Sequence, residues 1–210
     1  VESNDMMVSH DRYTIYRATG SDIPNGEQFR TGSKNVHLDL NPWWWCESSR
    51  ELLDGLPTLT YQDEQDFIRE NNLVVNSMGI HVQCVLNFED NTNDDGGTVI
   101  VPGFHKHIQQ WCDTVPIQQP KGQQNKKKNS NSSTLSTISN EDCVAKQPLP
   151  WLHIPSTNSL LNHAQRVPMK AGSVLIWNQT LVHGTSPNNG TNRCRLVQYL
   201  KAFNGLQSIS

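Results

Sequence analysis

The chain has 210 residues, 35% of them hydrophobic and 18% charged, which is enough for one domain with a proper core and excludes a wholly disordered protein. A formal net charge of -3 argues against a surface built to neutralise nucleic-acid phosphates, and no apolar run approaches the roughly 20 residues that span a bilayer. The polar opening VESNDMMVSHDRY is no secretory core, and the five cysteines (Cys46, Cys84, Cys112, Cys143, Cys194) never stand in CxxC spacing, so a soluble, cytoplasmic protein with reduced thiols is expected. The chain begins with Val1 rather than Met, and the expectation is a single domain over residues 1–210 that lacks a natural N-terminal part.

In chain order, the first informative segment is SKNVHLDLNPWWW. On a strand, residues two apart point the same way, so His37 and Asp39 emerge side by side as two thirds of a site with two histidines and one carboxylate. Such a pair is common by chance, and a surface His and Asp near a turn is the bland alternative. Trp43, Trp44 and Trp45 follow at once, and three rings in a row cannot all face one core by strand alternation. Trp43 and Trp44 are therefore candidates for an apolar wall beside a metal, or for packing at the end of a barrel. Thr60 with Asp63 three residues later resembles a capping pattern, which predicts a short helix over QDEQDFIREN.

Residues 79–88 (GIHVQCVLNF) alternate with period two, which predicts a strand with Ile80, Val82, Cys84, Leu86 and Phe88 facing a core. Gln83, on the polar phase with His81 and Asn87, either points into a site or outward as ordinary surface. Turn residues follow, then a second strand over 98–101 ended by Pro102-Gly103, giving a hairpin-like pair. His105 and His107 beyond that turn read as surface or structural histidines, as does His81. Residues 118–146 are rich in Gln, Asn, Ser and Lys with no apolar periodicity, and are expected to be a disordered insertion, with Lys126, Lys127 and Lys128 in a solvated loop. Residues 174–177 (VLIW) predict a short buried strand, and 193–203 (RCRLVQYLKAF) another. The balance is mostly β with a few helices.

His183 follows the VLIW strand as the candidate second histidine, and Arg193 and Arg195 head the next strand. Guanidinium is the group that holds a carboxylate bidentately, and alternation puts both arginines on one face, so spacing leaves either one open. Two sequons, at Asn178 and Asn189, read as coincidence, and the Ser-Ile-Ser ending is no peroxisomal signal.

Four segments in this order resemble the phytanoyl-CoA dioxygenase-like family of Fe(II)- and 2-oxoglutarate-dependent oxygenases. They are HLD at 37–39, GGTVIVPGFHK at 96–106, KAGSVLIWNQTLVHG at 170–184 and RCRLVQY at 193–199. The resemblance implies a double-stranded β-helix, a jelly-roll barrel with the metal near its open mouth. It implies Fe(II) held by His37, Asp39 and His183, with 2-oxoglutarate and O2 as cosubstrates. Hydroxylation of an aliphatic C–H in a small-molecule substrate would be coupled to formation of succinate and CO2. Aligning R-x-R-x-x-Q-Y makes Arg195 the match for the cosubstrate arginine, with one extra residue in the preceding loop and Arg193 the second candidate. Gln83 is a candidate contact of the cosubstrate or of an iron ligand. The alternatives are a barrel that has lost turnover and serves as a binding module, and a metal-dependent enzyme that does not use 2-oxoglutarate. No Lys or Arg cluster near the motifs reads as a coenzyme A phosphate site.

Overall fold

A computed structural model describes residues 6–32, 35–47, 82–117, 142–146 and 151–204. The described strands are β1 (Met6–Tyr16), β2 (Asn35–Leu38), β3 (Val82–Asn87), β4 (Gly97–Ile100), β5 (Leu152–His153), β6 (Gln165–Arg166), β7 (Val174–Asn178), β8 (His183–Ser186) and β9 (Arg195–Asn204). They form two antiparallel sheets, one in the order β1-β9-β3-β7 and one in the order β5-β2-β8-β4-β6. The sheets face each other as a jelly-roll barrel, in line with the expected mostly-β, double-stranded β-helix class. Two short helices, α1 (Pro42–Glu47) and α2 (Ile108–Thr114), pack against each other beside the five-stranded sheet. Among the described residues no helix is long and apolar enough to cross a membrane.

Alternation along β2 decides what each side of the five-stranded sheet does. His37 faces the space between the sheets, whereas Val36 and Leu38 on the opposite side are fully buried. They join Leu152, Ile154, Phe104, Ile108 and Trp43 in the apolar cluster that supports the sheet from outside the barrel. Gly184 on β8 lies opposite Val36, and a Cβ there would collide with the backbone of Asn35 and Val36. Gly184→Ala is therefore expected to push β2 and β8 apart and to destabilise the fold by about 1–3 kcal/mol or more. Urea unfolding measures this, and an unchanged midpoint would contradict the close approach.

Several expectations are corrected. The face of β3 expected to meet the core does so only in part: Cys84 is buried, but Val82 and Phe88 are exposed, while Gln83, Val85 and Asn87 of the other phase are buried. Of the two directions left open for Gln83, the inward one is found, because this barrel has a polar interior. The strands over 82–87 and 97–100 do not pair as a hairpin. The β3–β4 connection crosses from one sheet to the other, held by Arg166, which donates to the carbonyls of Thr92, Asp95, Gly96 and Thr98. Strand β7 alternates rather than being buried on both faces, with Val174 and Ile176 exposed and Trp177 buried. Of the expected insertion, residues 142–146 are described: Val144 is fully buried and its N–H donates to the Pro116 carbonyl. The helix expected after Thr60 and the residue His81 lie outside the described residues.

Candidate metal centre

The site begins with the register of two neighbouring strands. His37 on β2 is paired with His183 at the start of β8, so both imidazoles project from adjacent positions of one sheet face, with ring centroids 4.7 Å apart. The chain bends after Leu38, and Asp39 returns its carboxylate towards both rings. Oδ1 lies 3.4 Å from His37 Nε2, and Oδ2 lies 3.7 Å from His183 Nε2. One ligand atom from each residue falls within 4.8 Å of the others, a spacing that one cation can bridge.

The surroundings fix how these donors are presented. His183 Nδ1 is 2.8 Å from the Leu181 carbonyl, which lets Nδ1 donate to it and turns Nε2 towards Asp39, the side on which a metal would be held. Gln83 Nε2 donates to Asp39 Oδ2 at 2.6 Å, and the Trp177 indole N–H donates to Gln83 Oε1 at 3.0 Å. An indole can only donate, which sets the direction of the Gln83 amide and hence its donation to the carboxylate. Burial alone would raise the Asp39 carboxyl, but hydrogen bonds and charge from His183 and His37 outweigh it and hold the group well below the usual carboxylate range. An ionised carboxylate and two imidazole nitrogens suit a divalent first-row ion such as Fe(II), and this donor set fits that metal. Gln83→Leu is expected to lower metal affinity by roughly 10- to 100-fold with the three donors still present, as loss of a partner behind a ligand does. Metal titration of the variant checks this, and an unchanged affinity would remove Gln83 from the site.

Deeper between the sheets, the Arg195 side chain is 1% exposed. Its Nη2 donates to Thr98 Oγ1 at 3.1 Å, while Nε and Nη1 are buried with no hydrogen-bond partner among the described residues. The guanidinium lies 4.9 Å from the Tyr16 ring centroid, and the Tyr16 and Tyr199 hydroxyls are 3.3 Å apart. Burial pushes the Tyr199 phenol up, but the charge of Arg195 and hydrogen bonds with Thr185 and Tyr16 bring it below its ordinary value. A buried cation with two unused N–H groups is costly unless an anion completes it, and a carboxylate has the matching shape. A cavity of about 300 Å³ is lined by the three candidate ligands together with Gln83, Thr98, Tyr16, Tyr199 and Thr185.

His37, Asp39, His183 and Gln83 thus come together, with Arg195 beneath them. Arg193 does not join them. It precedes β9, so strand alternation does not govern it, and it is exposed beside Glu89 and Asp90 on the outside. Trp43 and Trp44 are on α1, not on a strand, and neither lines the cavity. Trp43 is buried against Trp111, with centroids 6.4 Å apart. His105 and His107 are exposed. Sequence reasoning missed Thr98, Thr185, Tyr16, Tyr199 and Trp177. Period-two counting from Arg195 through Val197 to Tyr199 is the signal that reaches Tyr199.

Fold and geometry together define a jelly-roll barrel whose mouth carries two histidines and a carboxylate above a buried arginine. The family profile described as phytanoyl-CoA dioxygenase (PhyH) matches residues 55–196, a span that contains His183 and Arg195 and begins after His37 and Asp39. This chain belongs to that family. A Dictyostelium discoideum protein named "Putative phytanoyl-CoA dioxygenase" is 31% identical over 206 residues, covering 97% of this chain and 48% of that protein. The chain thus spans about half the length of this curated relative. A solved structure titled "Crystal Structure of EvdMO1" is 15% identical, with a TM-score of 0.30, and covers 61% of this chain and 21% of its own.

Proposed function

We propose that the chain forms the catalytic barrel of a non-haem Fe(II)- and 2-oxoglutarate-dependent dioxygenase. It hydroxylates an aliphatic C–H of a small molecule as 2-oxoglutarate is converted to succinate and CO2. The observation that carries this reading is one cavity lined by a two-histidine, one-carboxylate cluster and by Thr98 and Tyr16, the side chains that touch the buried Arg195 guanidinium, two of whose nitrogens have no hydrogen-bond partner among the described residues.

His37 and His183, through Nε2, and Asp39 would hold the iron and leave one side of its coordination sphere open. Bound there with 2-oxoglutarate and O2, Fe(II) supplies the C–H oxidation. Arg195 receives the carboxylate at the far end of 2-oxoglutarate through N–H groups that have no hydrogen-bond partner among the described residues, while Nη2 also donates to Thr98. Gln83, itself held by Trp177, keeps Asp39 Oδ2 occupied and so orients the carboxylate. His183 Nδ1–H donates to the Leu181 carbonyl, which fixes the ring. The walls formed by Tyr16, Tyr199 and Trp177 restrict water around the reacting centre.

The testing experiment measures succinate release from 2-oxoglutarate over a broad substrate panel. The expected result is release that requires added Fe(II) and disappears in His183→Ala. A protein that binds no iron and releases no succinate on any substrate contradicts the proposal.

A further inference from the structure

The three candidate metal donors all belong to the five-stranded sheet, yet two of them are held from the sheet opposite. His37 and His183 stand on β2 and β8, and Asp39 is one residue past β2. Gln83 and Trp177 are antiparallel partners on β3 and β7 of the four-stranded sheet, so their side chains lie side by side on its inner face. Across the space between the sheets, Trp177 reaches two donors at once. Its indole N–H donates to Gln83 Oε1 at 3.0 Å, and Gln83 Nε2 donates to Asp39 Oδ2 at 2.6 Å. Its ring packs against the His183 imidazole, with centroids 4.9 Å apart and planes inclined by 50°.

Local geometry makes this side chain a fixed brace. Trp177 is buried, and an indole turns about only two side-chain torsions, so little freedom is left to it once the ring is packed. The chain crosses from β7 to β8 directly after it, through a turn closed by the Leu181 N–H on the Asn178 carbonyl. The Asn178 side chain tightens that turn by accepting from the N–H and the hydroxyl of Thr180. The same turn presents the Leu181 carbonyl to His183 Nδ1. His183 is therefore held on two sides, by its own turn at Nδ1 and by Trp177 against the ring.

Resting on the proposed metal centre, though not on the cosubstrate, we infer that Trp177 is a positioning residue of that centre. It orients Asp39 through Gln83 and His183 through ring contact, so one residue of the four-stranded sheet sets the spacing of two donors on the other.

The test is anaerobic titration of the chain with Co(II), read by visible absorption. Trp177→3-benzothienylalanine, introduced by amber suppression, keeps the ring outline and replaces the indole N–H by sulfur. It is expected to weaken Co(II) binding by roughly 10-fold, as loss of a partner behind a ligand does, and to shift the visible band because Asp39 is then free to turn. In a Gln83→Leu chain the same replacement should change affinity by less than about 2-fold, since the N–H acts through that amide. Trp177→Leu, which removes the ring as well, should weaken binding further in both backgrounds, and the isostere decides the matter if this variant does not fold. Trp151→Phe, at an exposed position outside the cavity, leaves affinity and band as in the wild type. An isostere that binds as tightly as the wild type, one that loses the same factor with and without Gln83, or a folded Trp177→Leu no weaker than the isostere would each overturn the inference and leave the metal centre standing. A wild-type chain that takes up no Co(II) overturns the metal centre, and the inference with it.

Discussion

Arg195→Met is expected to weaken 2-oxoglutarate binding by at least about 30-fold and, in the same protein, to leave the melting temperature of the unloaded chain nearly unchanged. The first effect follows from truncating one partner of a buried charge pair, which costs about 2–5 kcal/mol, the lower figure being the 30-fold. The second follows from what the arginine does without a ligand. Its side chain is 1% exposed, and Nε and Nη1 have no hydrogen-bond partner among the described residues. Replacing such a cation by an apolar side chain of similar length removes a desolvation cost and is worth about 1–4 kcal/mol in comparable cases. Loss of the Thr98 hydrogen bond and of the contact with the Tyr16 ring each subtract about 1 kcal/mol. The net lies between a loss of about 1 and a gain of about 2 kcal/mol, a small change in stability beside a large loss of binding. Arg193→Met, at an exposed position outside the cavity, is the matched control and should leave 2-oxoglutarate affinity within error. A melting temperature that falls while affinity holds would mean that Arg195 is a structural cation.

Asp39→Ala is expected to abolish Fe(II) retention and succinate release together, a larger effect than that of Gln83→Leu. The carboxylate is the only anionic donor in the cluster and the group on which both imidazoles and the Gln83 amide converge. Its folded-state carboxyl is held below the unfolded value despite burial. A depressed carboxyl contributes stability that is present above about pH 4 and is lost as the pH falls below it. With the side chain 35% exposed, that contribution is reduced by solvent screening. Acid should therefore weaken the wild-type chain through this group and leave Asp39→Ala less affected, a difference that thermal melts at pH 3 to 7 would show. Equal acid sensitivity in the two proteins would place the depression elsewhere.

The candidate site was legible where a motif is local and its geometry simple. His37 and Asp39 are two residues apart, and His183 follows an apolar strand, so their residue types and order were enough to suggest a metal. The partners behind them come from distant strands: Gln83 meets Asp39 across 44 residues, and Arg195 meets Thr98 across 97. Alternation on one strand cannot reveal such pairs. The face of β3 was misread because the rule that apolar residues point inward fails in a barrel that encloses polar groups, where Gln83 and Asn87 are interior and Val82 is exposed. The tryptophan run was weighed as strand, but Pro42 starts a helix, which puts Trp43 in the core and away from the cavity. Arg193 and Arg195 looked equivalent because the strand was assumed to include both, whereas β9 begins at Arg195. β1 went unnoticed in a polar stretch. Its value lies in pairing along β9 and in the bulge that turns Arg12 to the mouth, features of register rather than of composition.

The most direct measurement is an anaerobic titration of the chain with Fe(II) and then 2-oxoglutarate, followed by metal analysis and visible absorption. We expect one iron per chain and a charge-transfer band that appears only when 2-oxoglutarate is added. His183→Ala should lose both, and Arg195→Met should keep the iron while requiring far more 2-oxoglutarate for the band. A chain that retains no stoichiometric iron, or one that binds iron but develops no band at saturating 2-oxoglutarate, would contradict the assignment of His37, Asp39, His183 and Arg195.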